Sequence, residues 1–272
     1  MNQDSATKMA STRLISVIRM ATNSMSISWV EEMTSYHLIG HRLCPYVQRV
    51  AMVLAQSRVA HKRTDIALDA KPDWFLELSP TGSVPVLVID DERMLFEAAA
   101  ICQYLDAMCW KSLYPADTYY RALEQGVIAI ADKILALTAD LIYRDLSEQA
   151  MDATIHAIHM QMSIVSDLIT PSIIFEDKDL SMLDIVFATV FRPFALISIG
   201  LNRDLFAGFP GLRGWASGLA AHHTVRNAVP ATYHREMHEF IASKEGYLAK
   251  RIRMIPPNEI TLANDTPAMK LV

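Results

Sequence analysis

The sequence predicts an α/β domain followed by an all-α domain. Between residues 34 and 109, short β-like runs and helical stretches follow one another in the order β-α-β-α-β-β-α, the pattern of a compact α/β layer. Beyond Tyr114-Pro115 no β-rich run is evident, and long helical patterns take over. With 272 residues, of which 51% are hydrophobic, the chain is long enough for one large domain or two modest ones.

The α/β half begins with the run 36–39, ended by Gly40. Cys44-Pro45 then opens a helix, because proline is well suited to the first helical position. Its apolar stripe leaves Gln48 and Arg49 outside and consists of Val47, Val50, Ala51, Val53 and Leu54. The remaining predicted elements are a strand at 62–67, a short helix at 72–78, strands at 84–89 and 94–96, and a helix that begins at Glu97.

The second half is predicted to consist of helices at 117–143, 147–169, 182–199 and 212–221. The third of these opens with Ser181 and, three residues on, Asp184, which is a helix-capping pattern. The most apolar stretch, 182–201, is long enough to raise the question of a membrane span. It contains Asp184, Arg192 and Pro193, so a buried helix explains it better.

These patterns divide the chain into four parts. Residues 1–33 form an extension that we expect to be disordered, 34–110 an α/β domain, and 116–242 an all-α domain. Residues 243–272 are basic and contain prolines, and we interpret them as a loosely attached tail.

The amino-acid composition excludes several classes of function. The 25 Lys and Arg against 30 Asp and Glu give a net charge of −5, which offers no electrostatic reason to bind nucleic acid or an anionic membrane. Three cysteines argue against a disulfide framework and favour a reducing, cytoplasmic compartment. Histidine pairs with helical spacing occur at His156/His159 and His234/His238, but neither pair has an evident third ligand, so no metal is expected.

Cys44 is the first candidate for chemistry. At the start of a helix, free amide groups and the helix dipole favour a thiolate, which is the nucleophile in disulfide exchange. A lone cysteine is equally often a small buried hydrophobe. Because Val47 occupies the position where a second cysteine would resolve a mixed disulfide, any thiol chemistry here needs an external thiol.

Two further features are ambiguous when each is taken alone. Val84-Pro85 enters a strand either through a cis peptide bond at a turn or with a trans proline at the first residue of an edge strand. Glu97, with the free amides of the following helix, has the groups to receive a small zwitterion. The alternative for Glu97 is a simple acidic residue at a helix start.

In combination, these motifs resemble those of a known family. Cys44-Pro45-Tyr46, the run 71–75, the run 79–87 and Phe96-Glu97 occur in the order and spacing of the N-terminal domain of the cytosolic glutathione transferases, and most resemble the omega-like, cysteine-type class. The helical half continues the likeness through the runs 181–184 and 209–215. The resemblance covers residues 34–240 and implies a thioredoxin-like domain followed by an all-helical domain.

The resemblance also implies roles for individual residues. Cys44 would be the catalytic thiolate that forms a mixed disulfide with glutathione, the co-substrate. Lys71 would meet the glycine carboxylate of glutathione, and Val84, preceding the structural cis-proline Pro85, would pair with its cysteinyl backbone. Glu97 and Ala98 would hold the γ-glutamyl end, where the family normally has Ser in place of Ala98. The family likeness further implies a homodimer and a substrate pocket that includes Leu43 and Tyr46.

The function that follows is a glutathione-dependent thiol transferase or reductase without a metal. Candidate second substrates are small disulfides, dehydroascorbate and glutathionyl conjugates, so the enzyme would be an oxidoreductase as well as a transferase. The alternative is a non-catalytic binding or regulatory protein that kept the fold and lost turnover, with Ala98 as the first sign of that loss.

Overall fold

The computed structural model describes residues 34–144, 147–169 and 179–256. Contacts divide the chain into two units, Met1–Thr34 and Ser35–Val272, and all of the described strands and helices belong to the second unit. The extension predicted for residues 1–33 lies outside the described residues.

A four-stranded mixed sheet forms the centre of the first half. Its strands are β1 (Tyr36–Gly40), β2 (Lys62–Asp65), β3 (Val86–Ile89) and β4 (Arg93–Phe96). They lie in the order β2-β1-β3-β4, with β1 parallel to β2 and β3 antiparallel to both of its neighbours. The predicted β segments therefore exist, and each is paired as one layer of an α/β fold.

Helices cover both faces of this sheet. They are α1 (Pro45–Gln56), α2 (Asp73–Leu78) and α3 (Ala98–Met108). Because successive strand residues point to opposite faces, Leu38 and Leu87 pack in the core that contains α1 and α3, whereas Ile39 and Val86 pack with Phe75 of α2. This layered arrangement confirms the α/β class predicted from the sequence.

The second half of the described chain is helical. Its helices are α4 (Thr118–Tyr143), α5 (Glu148–Leu168), α6 (Met182–Phe191), α7 (Phe194–Leu201), α8 (Pro210–Ala221), α9 (His223–Asn227), α10 (Tyr233–Ala242) and α11 (Tyr247–Ile252). Helix α6 lies at the centre and packs against α1, α4 and α8. The capping box of Ser181 and Asp184 begins α6, and the indole Nε1 of Trp215 donates to Asp184 Oδ1 at 2.9 Å.

The single helix predicted over 182–199 is two helices. Pro193, which has no amide hydrogen to donate, lies between α6 and α7 together with Arg192. Among the described residues, Met182–Leu201 is the one stretch with the length and apolar composition of a membrane span, at a mean hydropathy of 1.8. Of that stretch, 67% is buried inside the structure, which is typical of a core helix.

The prediction of a loosely attached tail at residues 243–272 is wrong for residues 243–256. Helix α11 packs against α10 and α7, and its Leu248, Ala249 and Ile252 are at most 1% exposed. The imidazole Nε2 of His238 also lies 3.1 Å from the carbonyl oxygen of Ile252. The prediction rests on the basic residues of this segment, although the segment also contains a short apolar face at helical spacing. Residues 257–272 lie outside the described residues.

Candidate active site

The strand register brings four loops to one edge of the sheet. Gly40, the last residue of β1, pairs with Asp65, the last residue of β2. Val86, the first residue of β3, pairs with Ile39 on one side and with Phe96, the last residue of β4, on the other. The loops that carry Cys44, Lys71, Val84 and Glu97 therefore all emerge at this edge, which is the candidate active site.

Cys44 is held by the turn between β1 and α1. It is the N-cap residue of α1, its amide donates to the carbonyl oxygen of His41 at 3.0 Å, and its own carbonyl accepts from the amide of Gln48 at 3.1 Å. The turn requires a close approach at Gly40, where an added Cβ would lie 2.4 Å from Val47 Cγ1. Glycine at the end of β1 thus allows α1 to begin beside the strand and to present Cys44 at its N-terminus.

The Cys44 thiol differs from the sequence-based expectation. Burial raises the pKa of this thiol above its ordinary value, and this effect exceeds the lowering by the backbone N–H groups of Val47 and Tyr46 and by the Arg49 guanidinium. The sequence predicted the opposite direction because it revealed the helix start but not the burial. The pKa of the Cys44 thiol is therefore raised, not lowered, in the folded protein.

Two polar residues of α1 are also placed differently from the prediction. Gln48 and Arg49, expected outside, are 1% and 2% exposed. Arg49 Nη2 donates to Asp132 Oδ1 on α4 at 2.8 Å, and Arg192 Nη1 of the α6–α7 junction donates to Gln48 Oε1 at 3.0 Å. The helical half covers this face of α1. The apolar periodicity of α1 alone does not show that another element packs there. The two contacts join the α/β half to the helical half, at positions four and five residues after Cys44.

A cavity of about 260 Å³ lies beside the Arg49–Asp132 pair. Its lining includes Arg49, Cys102, Gln103, Gln125 and Asp132, from helices α1, α3 and α4. Burial raises the pKa of Cys102 to about 12, so this second thiol stays protonated.

Lys71 and Val84 belong to neighbouring loops of the same edge. The Lys71 ammonium donates to the carbonyl oxygen of Gly82 at 2.9 Å, which ties the loop after β2 to the loop before β3. The Val84–Pro85 peptide bond is cis, one of the two conformations expected from the sequence.

Glu97 and Ala98 stand at the start of α3. Glu97 is the N-cap residue and has a φ of 65°, a left-handed conformation that is uncommon outside glycine and is often found at functional sites. Its side chain makes no capping hydrogen bond and is exposed, while Ala98 is 5% exposed. The first amide groups of α3 have no partner within the helix, so this end can receive an anionic group.

The predicted substrate-pocket residues differ in their exposure. Leu43 is only 9% exposed and belongs to the hydrophobic core, whereas Tyr46 is half-buried, with the Arg49 guanidinium 5.3 Å from its ring centroid. Tyr143, at the end of α4, is a residue that the sequence did not single out. Its pKa is raised by burial and, to a smaller extent, by repulsion from the negative charge of a Cys44 thiolate.

The fold and this edge define a class of protein. A four-stranded mixed sheet with helices on both faces, a cysteine at the start of α1, and an all-helical second half together form the two-domain architecture of glutathione transferases.

Comparisons with known proteins agree with this class. Residues 43–108 match the family model of the glutathione S-transferase N-terminal domain. The chain is 28% identical over 210 residues to glutathione S-transferase omega-1 of Sus scrofa, covering 76% of this chain and 83% of that protein. It is 26% identical over 187 residues to glutathione S-transferase omega-2 of Homo sapiens, covering 68% and 76%. A rice glutathione transferase solved with glutathione has a TM-score of 0.69 at 18% identity, covering 78% of this chain and 96% of that one.

The match to the N-terminal family model and the omega-type relatives support a place for the chain among the cytosolic glutathione transferases, in an omega-like group. The family resemblance and the fold predicted from the sequence are both confirmed.

Proposed function

We propose that this glutathione transferase is a thiol transferase that works through Cys44. The observation that carries the proposal is the position of Cys44 at the N-cap of α1, where the N–H groups of Tyr46 and Val47 and the charge of Arg49 stabilise its thiolate. Burial opposes ionisation, but thiol exchange needs only the fraction of thiolate present at a given pH. The likeness to omega-type enzymes supports the same chemistry.

The proposed reaction is two successive thiol–disulfide exchanges. The Cys44 thiolate attacks the glutathionyl sulfur of a mixed disulfide, forms a Cys44–glutathione disulfide, and releases the other thiol as a thiolate that takes a proton from water. A second glutathione thiolate then attacks the glutathionyl sulfur of this intermediate, which yields glutathione disulfide and regenerates the Cys44 thiolate. The sum consumes one mixed disulfide and one glutathione, so it requires no metal or other reductant.

We assign the glutathione contacts to the residues of the same sheet edge. The α3 N-terminus, with Glu97 and the amide of Ala98, suits the γ-glutamyl carboxylate and amine, since a helix N-terminus favours an anion. Val84 offers its backbone to the cysteinyl unit, and the Lys71 ammonium is placed for the glycine carboxylate. The rice relative solved with glutathione supports glutathione as the co-substrate.

We further propose a cytoplasmic homodimer. Cys44, Cys102 and Cys109 are all free, which suits a reducing compartment. Large exposed apolar side chains lie at the end of α3, just after it and in the first turns of α4. A partner subunit would cover them: Met108, Trp110, Tyr119, Tyr120 and Leu123. Light scattering after size-exclusion chromatography tests this assembly, and a monomeric mass at micromolar concentration would contradict it.

Reduction of hydroxyethyl disulfide by glutathione tests the proposed reaction. We expect turnover by the wild type, loss of turnover in Cys44→Ser, and retention in the matched control Cys102→Ser, whose thiol is buried away from the loops. Mass spectrometry of the enzyme trapped with glutathione disulfide should find one glutathione on the peptide that contains Cys44. A folded wild type without turnover would instead favour the non-catalytic binding protein.

The pH dependence of Cys44 alkylation tests the thiol itself. In a variant lacking the other two cysteines, we expect the rate of reaction with iodoacetamide to reach half its maximum above the ordinary thiol pKa of about 8.5. Arg49→Met should raise this midpoint further, because it removes a charge that lowers the pKa of Cys44. A midpoint below 7 would show that the helix start outweighs burial.

A further inference from the structure

A basic side chain is held over an aromatic pair just after the end of α10. Lys244 follows α10, and its ammonium lies 4.1 Å from the ring centroid of Phe240 and 5.4 Å from that of Tyr143. The two rings are in edge-to-face contact, with centroids 5.7 Å apart. A cation over two rings is held in place, whereas a lysine side chain in water samples many rotamers.

Helix α10 runs alongside the segment that carries Cys44. Arg42, two residues before Cys44, donates from Nη1 to Glu236 Oε1 of α10 at 3.4 Å. Near the start of α10, the Arg192 guanidinium that binds Gln48 lies 5.4 Å from the ring centroid of Tyr233. These contacts fix the N-terminal half of α10 against the active-site edge of the sheet.

The aromatic pair lies one turn further along this helix. Phe240 is four residues after Glu236, hence on the same face of α10 and about 6 Å further along its axis. Tyr143, at the end of α4, packs edge-to-face on Phe240. The face of α10 that contacts the Cys44 segment through Glu236 therefore continues to Phe240, where the Lys244 ammonium lies over the aromatic pair.

The charge of Lys244 is not neutralised locally. Within residues 34–144, 147–169 and 179–256, neither Lys244 nor Arg253 forms an ion pair with a carboxylate. Arg253 Nη1 donates to the carbonyl oxygens of Ala242 and Lys244, which adds a second positive charge beside the first. The nearby carboxylate of Glu239 pairs with Arg235 instead.

We propose that Lys244 is a specificity-determining residue that favours second substrates with an anionic group on the part that leaves as a thiol. The inference rests on the proposed thiol transferase function. In the proposed mixed disulfide, glutathione would occupy the loops at the sheet edge, and the departing half would extend along α10 toward Tyr143, Phe240 and Lys244. A carboxylate there gains a favourable interaction with the ammonium, and an ammonium there is repelled.

Three glutathione mixed disulfides of similar size test the proposal: those of thioglycolate (anionic), mercaptoethanol (neutral) and cysteamine (cationic). For each enzyme, kcat/KM for the charged substrates is divided by kcat/KM for the neutral one, and this ratio is compared with the wild-type ratio. Differences in the leaving thiols then cancel. In Lys244→Met we expect the ratio for the anionic substrate to fall about threefold and the ratio for the cationic substrate to rise. A change of about threefold is typical of the loss of one exposed charge pair.

Further variants separate specificity from stability. Lys244→Arg should retain the wild-type ratios, because arginine keeps the charge and the contact with aromatic rings. Lys244→Glu should reverse the preference. Lys250→Met is the matched control, since it removes an equal charge from the exposed face of α11 and should leave both ratios unchanged. Circular dichroism and the kinetics of the neutral substrate show whether each variant is folded.

The outcomes are distinct. Ratios that are unchanged in both Lys244→Met and Lys244→Glu, with normal turnover of the neutral substrate, refute the role of Lys244 and leave the thiol transferase proposal intact. Equal changes in Lys250→Met assign the effect to net charge and also refute it. A wild type that turns over none of the three substrates refutes the proposed function and this inference with it.

Discussion

The ion pair between Arg49 and Asp132 is expected to be a major link between the two halves of the protein. Arg49 lies on α1 and its side chain is 2% exposed, while Asp132 lies on α4 and its side chain is 39% exposed. The guanidinium Nε of Arg49 has no hydrogen-bond partner in the described part of the chain. Asp132→Asn would therefore remove the charge that compensates a buried cation.

The protein contains a matched comparison on the same helix. Asp140 is also 39% exposed, but its partner Arg144 is 64% exposed, and the two charges are 3.3 Å apart. Breaking a buried pair costs about 3–5 kcal/mol, and the partial exposure of Asp132 reduces this to about 2–3 kcal/mol. An exposed pair at this helical spacing contributes only about 0.3–0.5 kcal/mol.

Urea unfolding at pH 7 measures both effects as changes in the free energy of unfolding. We expect Asp132→Asn to be about 2 kcal/mol less stable than Asp140→Asn. The double variant Arg49→Met/Asp132→Asn should recover part of the loss, because it removes the unpaired buried charge as well. Equal losses in the two single variants, or a double variant no more stable than Asp132→Asn, would refute the reasoning.

Three other predictions concern single positions. Gly40→Ala should destabilise the protein by roughly 1–3 kcal/mol, because the added Cβ would lie 2.4 Å from Val47. Gly214→Ala should stabilise α8 by up to about 1 kcal/mol, because an added Cβ there has nothing within 4 Å. Urea unfolding measures both changes, and the opposite ranking of the two variants would contradict the prediction. Burial and the charge of Asp184 raise the pKa of Glu124 to about 7, so stability should fall as the pH rises from 4.5 to 7. Glu124→Gln should abolish roughly 2 kcal/mol of that fall; parallel profiles for the two proteins would contradict the assignment. Ala98→Ser should tighten glutathione binding about 10- to 100-fold, as measured by calorimetry, whereas Ala99→Ser, at the exposed neighbouring position, should not. Equal affinities of the wild type and both variants would place the γ-glutamyl group elsewhere.

The sequence by itself determined the order of elements and the family. Short β-like runs bounded by turns, a proline at the first position of α1, and the Ser181–Asp184 capping box are local signals, each set by a few neighbouring residues. The joint motifs around Cys44, Pro85 and Glu97 were specific enough to indicate omega-like glutathione transferases. Local patterns of this kind survive in a single sequence because they do not depend on what packs against them.

The tertiary structure alone decided the burial of polar groups. Gln48 and Arg49 look like the solvent-facing side of α1 until α4 and α6 cover them, and the Cys44 thiol has its pKa raised for the same reason. The apolar face of α11 also becomes recognisable only where α7 and α10 pack on it. Desolvation depends on the sum of distant elements around a group, so it follows from the packed structure and not from the periodicity of one segment.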